Sequence, residues 1–260
     1  MDAKRSSAAV FVALLCVLAL AGCTEYVPPP QVVFEPAPEP AAPLARYKTF
    51  GRSVRGRSIM GVVLGEGNDT TFILATIHGD ESAGTPLLRG LSDHLRQHPD
   101  LLRGRRVVVL PVANPDGMAL NRRFNANGVD LNRNFRTGNR TNSPQFGTTA
   151  LSEPEARAIA QIMTQYAPDR IVSVHQPLAC VDYDGPAQAL AGRMAQQCGL
   201  PVRKLGAKPG SLGSYAGLTL GTPIVTLELP QDASRKNQEE LWQQYGKALL
   251  AAIVYPERTE

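Results

Sequence analysis

No apolar stretch of this 260-residue chain reaches the ~20 residues that a helix needs to cross a bilayer. The longest, residues 8–21, is 14 residues, so a permanent membrane-spanning segment is excluded as its reading. Charge of one sign is also missing as a feature. The 27 Lys+Arg stand against 23 Asp+Glu, a net +4 spread along the chain, which gives no basic stripe for nucleic acid. No internal repeat is present. Cysteines number four, and Cys16 and Cys23 fall in or just after the apolar run. Cys180 and Cys198 are left as a pair that an oxidising compartment can join in one disulfide. What the chain does have is 43% hydrophobic content, enough to bury the core of one large domain.

The N-terminus reads as an address. Lys4 and Arg5 precede the apolar run, and small residues follow it, the layout of a signal peptide over residues 1–22. Its end, Leu20-Ala21-Gly22-Cys23, resembles the lipobox of bacterial lipoproteins, which implies lipid on Cys23 and a membrane anchor. Thr24 stands where an aspartate implies inner-membrane retention, so the expected location is the outer membrane, facing the periplasm. Residues 27–43 contain seven prolines among 17, a composition that favours an extended spacer. The lipidated cysteine and linker thus span 23–43, and a catalytic domain is expected over 44–260.

Within that domain, apolar runs at 72–77, 107–112, 171–174 and 224–227 read as strands buried on both faces. Helical periodicity occupies 86–97, 153–166 and 238–254 between and after them. The second helix is preceded by Ser152 with Glu155 three residues on, a capping-box pattern. Residues 47–64, broken at Arg55-Gly56, read as an edge hairpin. The expected fold class is α/β: a mixed, mostly parallel central sheet with helices on both faces.

The chemistry-bearing residues stand at strand ends. Ile77-His78-Gly79-Asp80-Glu81 follows the first buried strand, and Ser173-Val174-His175 closes another. A His and a Glu three apart have an ordinary surface reading. Parallel strands, however, bring their carboxyl ends together, and two imidazoles plus one carboxylate form a catalytic zinc set that leaves a position open. Glu228 ends the last apolar strand, where burying a carboxylate without a purpose is costly, and is the candidate general base. His94 and His98 lie four apart near a helix end and read as a solvated cap.

Asn114-Pro115-Asp116-Gly117, Arg123 and Val129-Asp130-Leu131-Asn132-Arg133-Asn134-Phe135 complete a pattern. Together with the His-x-x-Glu, the strand-end His and the late Glu, it resembles the zinc carboxypeptidases related to carboxypeptidase A, in the same order over roughly residues 46 to 255. The resemblance implies one zinc ion held by His78, Glu81 and His175, with Glu228 activating water. It implies that Arg123, next to Arg122, polarises the scissile carbonyl. Asn132 and Arg133 take the place of the family's clamp on a free carboxylate, a role suited to a guanidinium fork.

Counting back from Gly210-Ser211, Leu205 stands where carboxypeptidase A has a mobile tyrosine. The segments His175-Gln176-Pro177-Leu178-Ala179-Cys180 and 208–215 instead resemble murein peptide amidases, which cut between γ-D-glutamate and meso-diaminopimelate. That resemblance implies a murein peptide as substrate, with Leu212 and Tyr215 lining the pocket for the leaving residue. A general C-terminal carboxypeptidase and an N-acyl-amino-acid deacylase of the aspartoacylase type are the enzymatic alternatives. A non-catalytic wall-binding lipoprotein is the alternative from another class.

Overall fold

Strands form where β-branched and aliphatic residues run together. The computed structural model describes residues 45–256 and shows seven: β1 (Ala45–Arg52), β2 (Ser58–Leu64), β3 (Asp69–Ala75), β4 (Arg105–Leu110), β5 (Arg170–His175), β6 (Leu178–Asp184) and β7 (Ile224–Pro230). The signal segment 1–22, Cys23 and the linker to Pro43 lie outside the described residues. The strands make one sheet in the order β1-β2-β4-β3-β5-β7-β6. Its centre, β4-β3-β5-β7, is parallel, while the β1–β2 hairpin and β6 add antiparallel edges.

Side-chain alternation divides the core into two layers. Ile73, Val172 and Val225 face helices α1 (Gly84–Gln97), α4 (Gln188–Cys198) and α5 (Gln238–Ile253), whose Leu87, Leu91, Met194, Leu241 and Tyr245 close that layer. Phe72, Leu74 and Ile171 face the opposite way, onto Ile159, Ile162 and Met163 of α3 (Pro154–Tyr166). Helices therefore cover both faces, and the strand ends are left as the place where polar groups can gather. A short helix α2 (Pro115–Ala119) is started by Asn114, whose side chain accepts the Gly117 N–H at 2.9 Å.

One local expectation is corrected. The Ser152/Glu155 capping box does not form. Glu153 occupies the cap position in extended conformation ahead of Pro154, and Ser152 Oγ donates to Glu153 Oε1 at 2.8 Å. Glu155 is fully buried and accepts from Val54 N–H and Asn125 Nδ2, both at 3.1 Å. The capping box of this fold sits instead at α5, between Asn237 and Glu240.

Cys180 and Cys198, which the sequence leaves open to one disulfide, are unbonded. The reason is sidedness. Val181 packs into the layer beneath α4, where Cys198 also lies, so its neighbour Cys180 points from the other face of β6.

Candidate metal centre and active site

The parallel centre of the sheet brings the strand-end residues together. His78 and Glu81 occupy the loop after β3, His175 is the last residue of β5, and Glu228 lies beside it on β7 in direct register. His78, Glu81 and His175 are buried, and each offers a ligand atom within 4.8 Å of the other two. His78 Nδ1 stands 2.8 Å from Glu81 Oε1, and His175 Nδ1 2.8 Å from Glu81 Oε2. The Gln176 N–H donates to the same Oε2 at 3.2 Å. The Asn-Pro-Asp-Gly turn works from behind: buried Asn114 donates from Nδ2 to the Ile77 carbonyl at 3.3 Å and to the Arg123 carbonyl at 3.4 Å. It thereby ties the His78 loop to the segment that carries Arg123.

The charges around this group are interlocked. Asp130 Oδ1 lies 3.2 Å from His78 Nε2, so the ring is held at both nitrogens. Arg123 donates from Nη1 to Glu81 Oε1 at 3.1 Å and from Nε to Asp130 Oδ2 at 3.2 Å. Neighbouring Arg122 is exposed. Burial alone would raise the Asp130 carboxyl, but the His78 hydrogen bond and the charges of His78, Arg123 and Arg133 bring it down to about 2. Glu81 is likewise held below the carboxylate range by His175 and His78, against the opposing effect of burial. Glu228 moves the other way. Burial and the nearby Glu81 charge push it up, while His175, the Leu178 N–H at 3.4 Å and His78 offset this only in part.

A cavity of about 280 Å³ opens from these residues and is also lined by Arg123, Asn132, Arg133, Leu205 and Glu228. Its far side is shaped by two loops tied together. Leu212 N–H donates to Asn132 Oδ1 at 2.8 Å, and Phe135 N–H donates to the Gly210 carbonyl at 3.0 Å. Gly210 has φ +69°, and a Cβ there would stand 2.3 Å from the Arg133 carbonyl oxygen, so both the backbone angle and the close approach require glycine.

The loop corrects one expectation. Leu212 is 1% exposed and packs in the core, and Tyr215 stacks on Phe135 at 5.7 Å, away from the cavity. Neither lines it. Cavity-lining residues that sequence reasoning passes over include Asp182, Asp184 and Thr226, with Asp130 acting behind His78. The signal for the two aspartates was present as the period-two alternation Cys180, Asp182, Asp184 against Val181 and Tyr183.

Two imidazole nitrogens and a carboxylate, buried, convergent and oriented by a further carboxylate on His78, are the number and type of donors that suit a catalytic zinc ion. Comparison with known proteins agrees. The sequence profile of the zinc carboxypeptidase family matches residues 41–191, a segment that includes His78, Glu81, Arg123, Asn132, Arg133 and His175 and stops short of Glu228. Murein peptide amidase A of Escherichia coli K12 is 36% identical over 213 residues, covering 71% of this chain and 84% of that protein. The Vibrio campbellii protein of the same name is 34% identical over 75% of this chain and 84% of its own length. The crystal structure of murein-tripeptide amidase from E. coli O157 superposes with a TM-score of 0.62 at 28% identity, covering 82% of this chain and 93% of that one. Carboxypeptidase A from Helicoverpa armigera shares the fold at 20% identity, with a TM-score of 0.67 over 83% of this chain and 70% of its own. The chain belongs to the zinc carboxypeptidase family and is a hydrolase of that metallopeptidase class.

Proposed function

We propose that this hydrolase cuts the γ-D-glutamyl–meso-diaminopimelate bond of murein tripeptide, L-Ala-γ-D-Glu-meso-diaminopimelate. The observation that carries the reading is the sharing of one cavity by the His78/Glu81/His175 group, Glu228 and the arginines 123 and 133. Similarity to murein peptide amidases along 84% of their length supports the choice of substrate.

In this reading His78, Glu81 and His175 hold the metal. A zinc ion bound there would supply Lewis acidity to the scissile carbonyl and lower the pKa of water toward about 7. Glu228 takes the proton of the attacking water and passes it to the leaving amine, which departs as the diaminopimelate amino group. Its raised proton affinity suits a group that must take a proton from water and then give it up. Arg123, fixed by Asp130 and Glu81, donates to the carbonyl oxygen as negative charge develops, a contribution of ~3 kcal/mol for one such donor. Arg133, whose Nη1 donates to the Asn132 carbonyl at 2.6 Å, and the Asn132 amide receive the free α-carboxylate of the leaving residue.

The same proposal places the enzyme in the bacterial envelope. Residues 1–22 direct export, lipid on Cys23 anchors the chain, and the linker over 23–43 holds the domain 44–260 off the outer membrane on its periplasmic side. The Cys23→Ser variant should then move from the membrane pellet to the soluble fraction of fractionated cells. Mass spectrometry of the tripeptide after incubation with zinc-loaded protein tests the reaction. Free diaminopimelate is expected from the wild type and not from Glu228→Gln. An untouched tripeptide alongside cleavage of ordinary C-terminal peptides overturns the substrate assignment.

A further inference from the structure

Strand β3 does not run straight into the loop that carries His78 and Glu81. Along it, Phe72 and Leu74 belong to the core layer closed by α3, and Ile73 and Ala75 to the layer closed by α1. Continued alternation would send Thr76 toward α3 and Ile77 toward α1. Ile77 packs instead with Phe72 and Leu74, and Thr76 meets Thr85 in the first turn of α1. The main chain is therefore flipped at Thr76, whose φ of +52° lies in the left-handed region. His78 follows two residues later.

A β-branched residue is poorly suited to that region, where glycine is free of strain. Such a residue persists only where its surroundings over-determine it. Those of Thr76 do, and it is fully buried. Its carbonyl accepts the Asn114 N–H at 2.9 Å. Its Oγ1 stands 2.9 Å from Oγ1 of Thr85, which is itself 2% exposed. Thr85 gives its proton to the Pro111 carbonyl at 2.9 Å, so the Thr76 hydroxyl is the donor between the two, with the Glu81 carbonyl as a second acceptor at 3.4 Å. Gly84 brings α1 close enough for this pairing, since a Cβ there would stand 2.7 Å from that of Ala75. One buried hydroxyl thus ties together the end of β3, the backbone of Glu81, the start of α1 and the segment after β4.

What threonine adds over glycine at this position is the hydroxyl. We infer that Thr76 is a positioning residue of the metal centre: its hydroxyl, anchored on Thr85, holds the backbone flip that aims His78 and Glu81 at His175. Neither threonine lines the cavity, and both act through the loop that bears the ligands. The inference rests on the reading that His78, Glu81 and His175 hold a metal, and it adds the device that sets two of them in place. Without the hydroxyl the strained turn loses one of its restraints, and the two donors lose the fixed placement that tight coordination needs.

Thr76→Val keeps the branched Cβ and the shape and removes the hydroxyl, whereas Thr76→Ser keeps the hydroxyl. In the full-length protein, competition with a chromogenic chelator should show zinc affinity lowered at least about tenfold in Thr76→Val and held within about threefold of wild type in Thr76→Ser. Thr85→Val removes the anchor from a position of ordinary helical backbone and should lower the affinity in the same direction, and it carries the test if Thr76→Val fails to fold. A threonine that served only the fold would lower the urea midpoint of the metal-free protein and leave the zinc affinity of the folded protein at its wild-type value. That result in either valine variant overturns the proposal, as does an equal loss of affinity in Thr76→Ser and Thr76→Val. A wild type that binds no zinc removes the metal site and the positioning role with it; a wild type that binds zinc beside valine variants of unchanged affinity sinks the positioning role alone.

Discussion

The His78 ring is fixed at both nitrogens, by Glu81 on one side and Asp130 on the other. A carboxylate behind a ligating imidazole sets its tautomer and raises its basicity, and its loss typically weakens metal binding 10–100-fold. Asp130→Asn should therefore lower zinc affinity by about that factor, measured by competition with a chromogenic chelator and without reference to turnover. Unchanged affinity would leave Asp130 only its contact with Arg123. The convergence of His78, Glu81, His175 and Glu228 is legible in the sequence because each ends, or directly follows, an apolar run, and parallel strands gather such ends at one place. Asp130 hides inside a motif whose Asn132 and Arg133 draw the reading toward substrate. Asp182 and Asp184 hide for a different reason: an acidic alternation at a strand looks the same whether it faces water or a cavity. Leu212 and Tyr215 mislead because likeness of a loop sequence does not say which face of the loop turns inward. There the backbone N–H of Leu212, and not its side chain, meets the site through Asn132.

At the scale of elements, the β1–β2 hairpin is pinned to α2 by one buried carboxylate. Asp116 accepts the Arg55 N–H at 2.9 Å and the Arg57 guanidinium at 2.5 Å. Burial works against its ionisation, yet these donors, with Ser53, hold its proton affinity below the ordinary carboxylate value. A group whose folded pKa is depressed contributes stability above its unfolded pKa and loses it as pH falls through the folded one. Asp116→Asn should thus cost about 1.5–3 kcal/mol in urea unfolding at pH 7, and the gap to wild type should close as pH drops below about 4. A gap that is constant down to acid pH would assign the loss to packing. The α5 cap makes a simpler case: Asn237→Ala removes the acceptor for Glu240 N–H and should cost about 1 kcal/mol. The four central strands and the edge hairpin are legible because burial on both faces, or a clear turn, leaves a continuous pattern. Strand β6 and helix α4 are not. β6 is an edge strand broken by Asp182 and Asp184, and α4 begins without a side-chain cap and carries few large apolar residues. The α3 start misleads because Ser152 and Glu155 find partners in the 53–57 and 125–134 segments, contacts distant in sequence that override a local capping pattern.

For the molecule as a whole, the candidate ligands come from two segments nearly a hundred residues apart, one after β3 and one at the end of β5, and meet only when the sheet is assembled. A metal that binds this set binds the native state and not the unfolded chain, so it stabilises the fold by mass action. At a free concentration of a hundred times Kd that amounts to about 2.7 kcal/mol. For a domain of this size each kcal/mol moves the midpoint by about 2–4 °C, which gives an expected rise in Tm of about 5–10 °C on adding zinc to chelator-stripped protein. His175→Ala should abolish the rise, since two remaining donors hold the ion far more weakly, and Glu228→Gln should keep it in full because that carboxylate serves the proton and not the metal. A zinc-dependent rise of equal size in His175→Ala would mean that the ion stabilises the fold from elsewhere. Loss of the rise in Glu228→Gln would make Glu228 a ligand and leave the site without its general base. The two variants thus separate the group that binds from the group that reacts, by a measurement that needs no substrate.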